Sequence, residues 1–258
     1  MCRARRIIHR RHESKAVSRR RFLGLELRPT RREASSTRSS PWPFDLDTLA
    51  FARDVLSVSV LDNVHGKYVF GRRVQVLARE LAEQIPQGAR VLDVGCGDGT
   101  IAHLLMQARP DVQIEGIDIL LRPETKVPVK EFDGKHIPHP DKSFDVVMFV
   151  DVLHHTEDPT ILLTEARRVA RKAVVLKDHC KDGVLANSTL RFMDWVGNAR
   201  HGVVLPYLYW PEATWREAFK TIGLEPEAWQ PKLGLYPWPF SMMFDRRLHF
   251  VARLAPTA

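Results

Sequence analysis

Apolar residues along this chain recur with two different periods, and the alternation between them predicts the fold. Over 68–81 the residues Val69, Phe70, Val74, Leu77 and Leu81 keep spacings of three and four, the stripe of an amphipathic helix. Residues 91–94 then form a short β-prone run bounded by turn residues, and 101–106 is helix material that Pro110 ends. Residues 112–119 read as a second strand and 127–132 as a third. The run 146–150 is continuously apolar, as a central parallel strand buried on both faces should be. Segment 159–171 carries Ile161, Leu162, Leu163, Ala166, Val169 and Ala170 on one broad helical face, and 172–178 is a fifth strand. Strand and helix alternate throughout, which predicts an α/β fold with a parallel, doubly wound sheet.

The two ends of the chain fit this scheme less simply. Residues 181–210 are too long for a plain connection and hold a helical piece at 190–196. A helix at 211–222, a strand at 224–229 and an alternating segment at 247–254 follow. Residues 1–40 carry few apolar side chains and are expected to be a disordered basic tail. Ser18-Arg19-Arg20-Arg21-Phe22-Leu23-Gly24 is like a twin-arginine signal without its long apolar region, and the composition also suits a transit peptide, a flexible arm or an upstream translation start. The sequence 41–44 marks the domain boundary, and helical patterning starts near Asp47 and again near Lys67.

Charge matters here for its location. The chain has a formal net charge of +8, but of its 39 Lys+Arg and 31 Asp+Glu, 13 and 3 fall in residues 1–40, leaving 26 against 28 in 41–258. The folded part therefore offers no electrostatic footprint for nucleic acid. Three scattered cysteines, Cys2, Cys96 and Cys180, make neither a disulfide framework nor a zinc site. The expectations are a reduced, cytoplasmic setting, no metal, and no transmembrane span, since no apolar run approaches the ~18–20 residues required.

The chemistry begins at Asp93-Val94-Gly95-Cys96-Gly97-Asp98-Gly99-Thr100, where a strand meets a helix through three alternate glycines. A dinucleotide loop spaces its glycines G-x-G-x-x-G and offers bare N–H groups to a pyrophosphate. Here the spacing is G-x-G-x-G and two carboxylates flank it. Each would repel a phosphate at contact by about 3–4 kcal/mol at an intermediate dielectric, so a phosphate ligand is disfavoured. S-adenosylmethionine has no phosphate and carries a sulfonium and an amino group that carboxylates attract. The segment resembles the first motif of class I methyltransferases. Asp118 lies one strand-helix-strand unit beyond Asp93, at the end of the second strand, where an acid accepts hydrogen bonds from ribose hydroxyls. The order Pro140-x-x-Ser143-Phe144-Asp145-Val146-Val147, strand, then Val152-Leu153-His154-His155-x-x-Asp158-Pro159 resembles the ubiquinone/menaquinone biosynthesis methyltransferases.

That resemblance covers roughly residues 88–180 and implies a Rossmann-like sheet of seven strands, mostly parallel with an antiparallel last strand. It implies S-adenosyl-L-methionine as cofactor, held by Asp93, Gly95, Cys96, Gly97, Asp98, Gly99, Asp118, Ile119, Phe132, Asp133, Gly134, Asp151, Val152 and Leu153. In it Asp133-Gly134 meets the adenine amino group, helices before residue 88 cover the cofactor and the mouth of the site, and the insertion after 180 builds the acceptor site. Five of the six tryptophans lie beyond residue 190, either as acceptor contact surface or as core beside the last strands. His155, Asp178 and His179 are the candidate proton acceptors, with His154 beside them; a histidine here could instead shape the cofactor pocket. The expected reaction is methyl transfer to a small, apolar or aromatic acceptor, with a possible peripheral contact with membrane or a lipophilic substrate. A nucleic-acid or protein acceptor tethered by the basic tail, a non-catalytic cofactor-binding domain, and lastly a nicotinamide oxidoreductase are the competing readings.

Overall fold

A computed structural model describes residues 70–198 and 207–257; the predicted basic tail, the 41–44 boundary and the helix near Asp47 lie outside them. Helix α1 (Phe70–Gln84) is followed by β1 (Arg90–Val94), α2 (Thr100–Ala108), β2 (Gln113–Asp118), β3 (Val129–Glu131) and β4 (Phe144–Val150). After a 3-10 turn at Leu153–His155 come α3 (Pro159–Val169), β5 (Ala170–His179), α4 (Ala186–Asn198), α5 (Glu212–Ile222), β6 (Leu224–Gln230), the single turn α6 (Ser241–Phe244) and β7 (His249–Pro256).

The seven strands lie in the order β3-β2-β1-β4-β5-β7-β6. β1 to β5 pair in parallel, while β7 runs antiparallel to both β5 and β6. The fold is therefore the α/β doubly wound sheet that the alternation predicted. Side chains of a strand point to opposite faces in turn, and that rule sorts the core. Leu92, Val147, Phe149, Val174 and Leu176 face α3 and α5 on one side, with Trp215 and Phe219. Val91, Val146, Met148, Ala173 and Val175 face α1 and α2 on the other, with Leu77, Leu81 and Leu105. Both faces are covered, which is why these strands read as unbroken apolar runs.

Several boundaries differ from the sequence reading for local reasons. The second strand stops at Asp118, because that carboxylate accepts the N–H of Leu120 at 2.9 Å and turns the chain. The third shrinks to three residues at the edge of the sheet, starting only after Pro128, which has no N–H to give. The helical piece expected at 190–196 extends over Ala186–Asn198. The last strand starts two residues later than expected, at His249, since Arg247 adopts a φ of 62°.

Candidate functional site

The carboxyl ends of β1, β2, β4 and β5 open on one edge of the sheet, and the antiparallel β7 begins at the same edge, with His249 opposite His179. In such sheets ligands lie beyond those ends. The edge divides into a glycine turn with its acids and a cluster of buried ionisable groups.

At the turn, Gly95 has a φ of 76° and its N–H donates to Ile117 O at 2.7 Å. A Cβ there would stand 2.6 Å from Val152 Cγ2, so β4's exit presses directly on the turn. Gly97 also has a positive φ, of 59°, but a Cβ on it would meet nothing within 4 Å among the described residues. This open space over Gly97 is where a ligand can lie on bare backbone. The N–H of Gly97 donates to Asp118 Oδ2 at 2.8 Å, so the acid after β2 holds the turn from across it. Each Asp118 oxygen accepts one backbone N–H and keeps a lone pair for another donor. Cys96 packs close over the backbone of Gly116, where a Cβ would stand 2.3 Å from its Sγ, and burial pushes its thiol up.

Asp93 is buried at the floor of this turn, and its carboxylate finds no hydrogen bond among the described residues. Burial, then the charge of Asp118, pushes it up to about 7. A buried, uncompensated acid beside a second acid is a demand for a cation or donor.

The remaining predicted cofactor contacts divide by their surroundings. Ile119, exposed beyond β2, lies against Gly134, at which a Cβ would meet Ile119 Cγ2 at 3.0 Å. Those two share the sheet edge with Asp118. Phe132 turns its ring into the core and leaves only backbone at the edge, its N–H donating to Asp118 O at 3.1 Å. Asp133 Oδ1 accepts the N–H groups of His136 and Lys135, which hold the acid below its usual range, and Oδ2 has no donor among the described residues. Both Asp98 oxygens are occupied by Thr100, at the start of α2. Asp151, with a φ of 58°, accepts from Arg73 and Lys177. Leu153 is core, and its N–H donates to Asp178 Oδ2 at 3.0 Å.

The second half of the edge is a charge network. Burial works to raise Asp151, but the cations Lys177 and Arg73 outweigh it and hold this carboxyl well below its ordinary value. Asp178, fully buried, faces His154 Nδ1 at 2.7 Å. Burial opposes both charges of that pair, yet their mutual attraction wins, raising His154 and lowering Asp178. His179 packs edge-on to His154, and burial followed by the charges of Lys177 and His154 lowers it. His155 packs against His154 with the rings tilted and their centroids 4.0 Å apart; burial, then the His154 charge, lowers it to about 4, and its buried Nδ1 has no partner among the described residues. His249, buried against His179, leaves both ring nitrogens unpartnered. Tyr209 donates to Asp194, which lies 3.6 Å from His154 Nε2. Asp151, His154 and His179 bring ligand-type atoms within 4.8 Å of one another. A divalent ion there would face Arg73 and Lys177 across Asp151, so the cluster is balanced by its own cations.

The structure thus gathers Asp93, Gly95, Gly97, Asp118, Ile119, His155, Asp178 and His179 at one edge. The sequence reading does not single out Arg73, Lys177, Asp194 or His249. Lys177 alone had a signal: a lysine continuing the apolar run of β5 must be buried, and a buried lysine needs an acid. Of the later tryptophans, Trp215 is core with Trp210 and Trp229 packed against it, while Trp195 and Trp238 are exposed. The core alternative therefore holds for Trp210, Trp215 and Trp229, while Trp195 and Trp238 lie outside the core.

A parallel sheet with an acid-flanked glycine turn after β1 and an acid ending β2 defines an α/β protein of the S-adenosylmethionine-dependent class. The chain belongs to the methyltransferase domain family, whose model matches residues 65–228. Among curated proteins it is 34% identical over 110 residues to the 27-O-demethylrifamycin SV methyltransferase of Amycolatopsis mediterranei, covering 37% of this chain and 40% of that one. It is 34% identical over 108 residues to the fatty-acid O-methyltransferase of Mycolicibacterium smegmatis, covering 38% and 39%. The match spans about two fifths of the length of these relatives. The fold is similar to that of the PH0226 protein from Pyrococcus horikoshii, with a TM-score of 0.54 at 20% identity over 73% of this chain and 91% of that one. It is also similar to an S-adenosylmethionine dependent methyltransferase from Mesorhizobium loti, with a TM-score of 0.51 at 17% identity over 69% and 96%.

Proposed function

We infer that this protein transfers a methyl group from S-adenosylmethionine to a small, apolar or aromatic acceptor, in the manner of the quinone-biosynthesis methyltransferases its motifs resemble. The observation that carries the cofactor assignment is Asp93, a buried carboxyl with no partner among the described residues, under a glycine turn over which those residues leave open space at Gly97. The cofactor supplies an activated methyl on a sulfonium, already a good leaving group. The chain's own work is alignment and exclusion of water. Asp93 offers its charge to the cationic end of the cofactor, Asp118 its spare lone pairs to the ribose hydroxyls, and Ile119 an apolar surface beside the base. Asp133, by the same resemblance, would accept from the adenine amino group through Oδ2.

His155 is the group best suited to take a proton from an acceptor hydroxyl. It is neutral at pH 7 and so able to accept a proton, and His154, itself held by Asp178, packs beside its ring. Asp178 and His179 serve this site better as positioning groups: the acid is consumed by His154, and the histidine by packing. A small acceptor is further supported by the relatives named for a rifamycin derivative and a fatty acid. The test is incubation with methyl-labelled S-adenosylmethionine and fractionated extract. Label in the organic-soluble fraction is expected. Label in RNA or protein would move the acceptor to another class, and none in any fraction, with cofactor bound, would leave a non-catalytic domain.

A further inference from the structure

Helix α4 has two different faces. Inward, Leu190 is buried and Asp194 reaches Tyr209 and His154. Outward, Phe192 and Trp195 stand in solvent, Trp195 with 58% of its surface exposed. The turn before and through α6 adds Trp238, 79% exposed, with Phe240, Met242 and Met243. Helix and turn form one surface. Phe244 stacks between Phe192 at 6.5 Å and Phe240 at 6.4 Å, and Arg246 ties the turn to the helix through Thr189 Oγ1 and Val184 O. Contiguous exposure of this many large apolar side chains is uncommon in a protein that meets only water.

The charges around this surface select its occupant. Within 184–198 and 235–248 there are two acids and three arginines. Asp194 is buried, and Asp245 is spent on the N–H groups of Leu235 and Tyr236. Arg191, Arg246 and Arg247 are all exposed; among the described residues only Arg247 of the three approaches an acid, Glu212 at 3.4 Å. Exposed tryptophan, phenylalanine and methionine ringed by arginine match the boundary of an anionic bilayer, where indole rings sit at headgroup level and guanidinium groups meet lipid phosphates.

We propose that the face formed by α4 and the 237–244 turn docks on the surface of an anionic lipid bilayer. It lies on the far side of the helix that borders His154, so a lipophilic acceptor dissolved in the membrane has a short path to the sheet edge. That last step rests on the proposed methyl transfer; the docking does not.

The test is flotation of the full chain with phosphatidylcholine vesicles, with and without phosphatidylglycerol, in the absence of cofactor and acceptor. A variant carrying Trp195→Ser, Trp238→Ser and Met242→Ser is compared. The full chain should float with the anionic vesicles, and the variant should lose about tenfold or more in partitioning while its melting temperature and S-adenosylmethionine affinity are unchanged. Equal binding by the variant would overturn the proposal, since the basic residues 1–40 would then suffice. So would failure of the full chain to bind. A dimer in sedimentation velocity that the substitutions dissolve would give the face to a second copy, and a markedly lower melting temperature would show that the chain covers it itself. Absence of methyl transfer would leave every one of these outcomes readable.

Discussion

His154 Nδ1 lies 2.7 Å from Asp178 Oδ1, with both side chains almost wholly buried. A carboxylate only accepts, so Nδ1 carries the proton in this contact and Nε2 is turned toward Asp194. The pair stands at the end of two adjacent parallel strands and sets the charge that His155 feels.

The pair's contribution to stability should peak in mildly acidic to neutral solution. Asp178 is lowered in the folded state, so its share is present above its unfolded value near ~3.9 and is lost as pH falls further. His154 is raised, so its share is complete below about 6.5 and is lost as pH rises through the folded value. Asp178→Asn should therefore cost about 3–5 kcal/mol in urea unfolding near pH 6, with a smaller deficit on either side. A deficit that does not vary with pH would mean the pair is uncharged.

Asp93 should behave in the opposite sense. Its folded value near 7 exceeds the unfolded one, so the folded state binds more protons between the two and the cofactor-free protein loses stability as pH rises from about 4 to 7. Asp93→Asn should make the cofactor-free protein more stable at pH 8, while weakening S-adenosylmethionine by about 1–3 kcal/mol. Calorimetry and thermal unfolding of one variant would then move in contrary directions. A loss of both, or of neither, would remove Asp93 from the cofactor site.

Two glycine substitutions separate strain from ligand contact. Gly95→Ala places a Cβ 2.6 Å from Val152 and should cost about 2–4 kcal/mol of stability. Gly97→Ala meets only open space and should cost about 1 kcal/mol from its positive φ. Yet Gly97→Ala is expected to lower cofactor affinity more than stability. An unaltered dissociation constant would show that nothing rests on that part of the turn.

His155 is held near 4 by burial and by the neighbouring charge. Once an acceptor is in hand, His155→Gln should lower kcat by about 10²–10⁴ with S-adenosylmethionine affinity unchanged. His154→Gln keeps a donor for Asp178 but removes the positive charge, so the acid limb of kcat/KM should move to higher pH. A stationary limb would indicate that some other group titrates.

The sheet was legible because its information is local. An apolar strand of five to seven residues between turn signals, such as 146–150, has few other ways to bury both faces, and a glycine-rich turn with acids restricts its ligand wherever it lies. Asp93, Asp118 and the three glycines thus stand out by type and spacing, while their assignment to a cofactor comes from the family resemblance. Boundaries such as the end of β2 were not, since one hydrogen bond from Leu120 to Asp118 settles them.

Sequence by itself determined the α/β class, the strand-turn-helix proposed to hold the cofactor, and the acids that disfavour a phosphate there, because each depends on residues within one supersecondary unit. Tertiary structure alone decided that Arg73, from a helix 78 positions earlier, neutralises Asp151, and that His249, from the last strand, packs on His179. It also decided that Trp215 fills the core while Trp195 and Trp238 face outward. Those outcomes depend on which elements the sheet order brings side by side, and contact between segments far apart in the chain leaves no periodic trace in either of them.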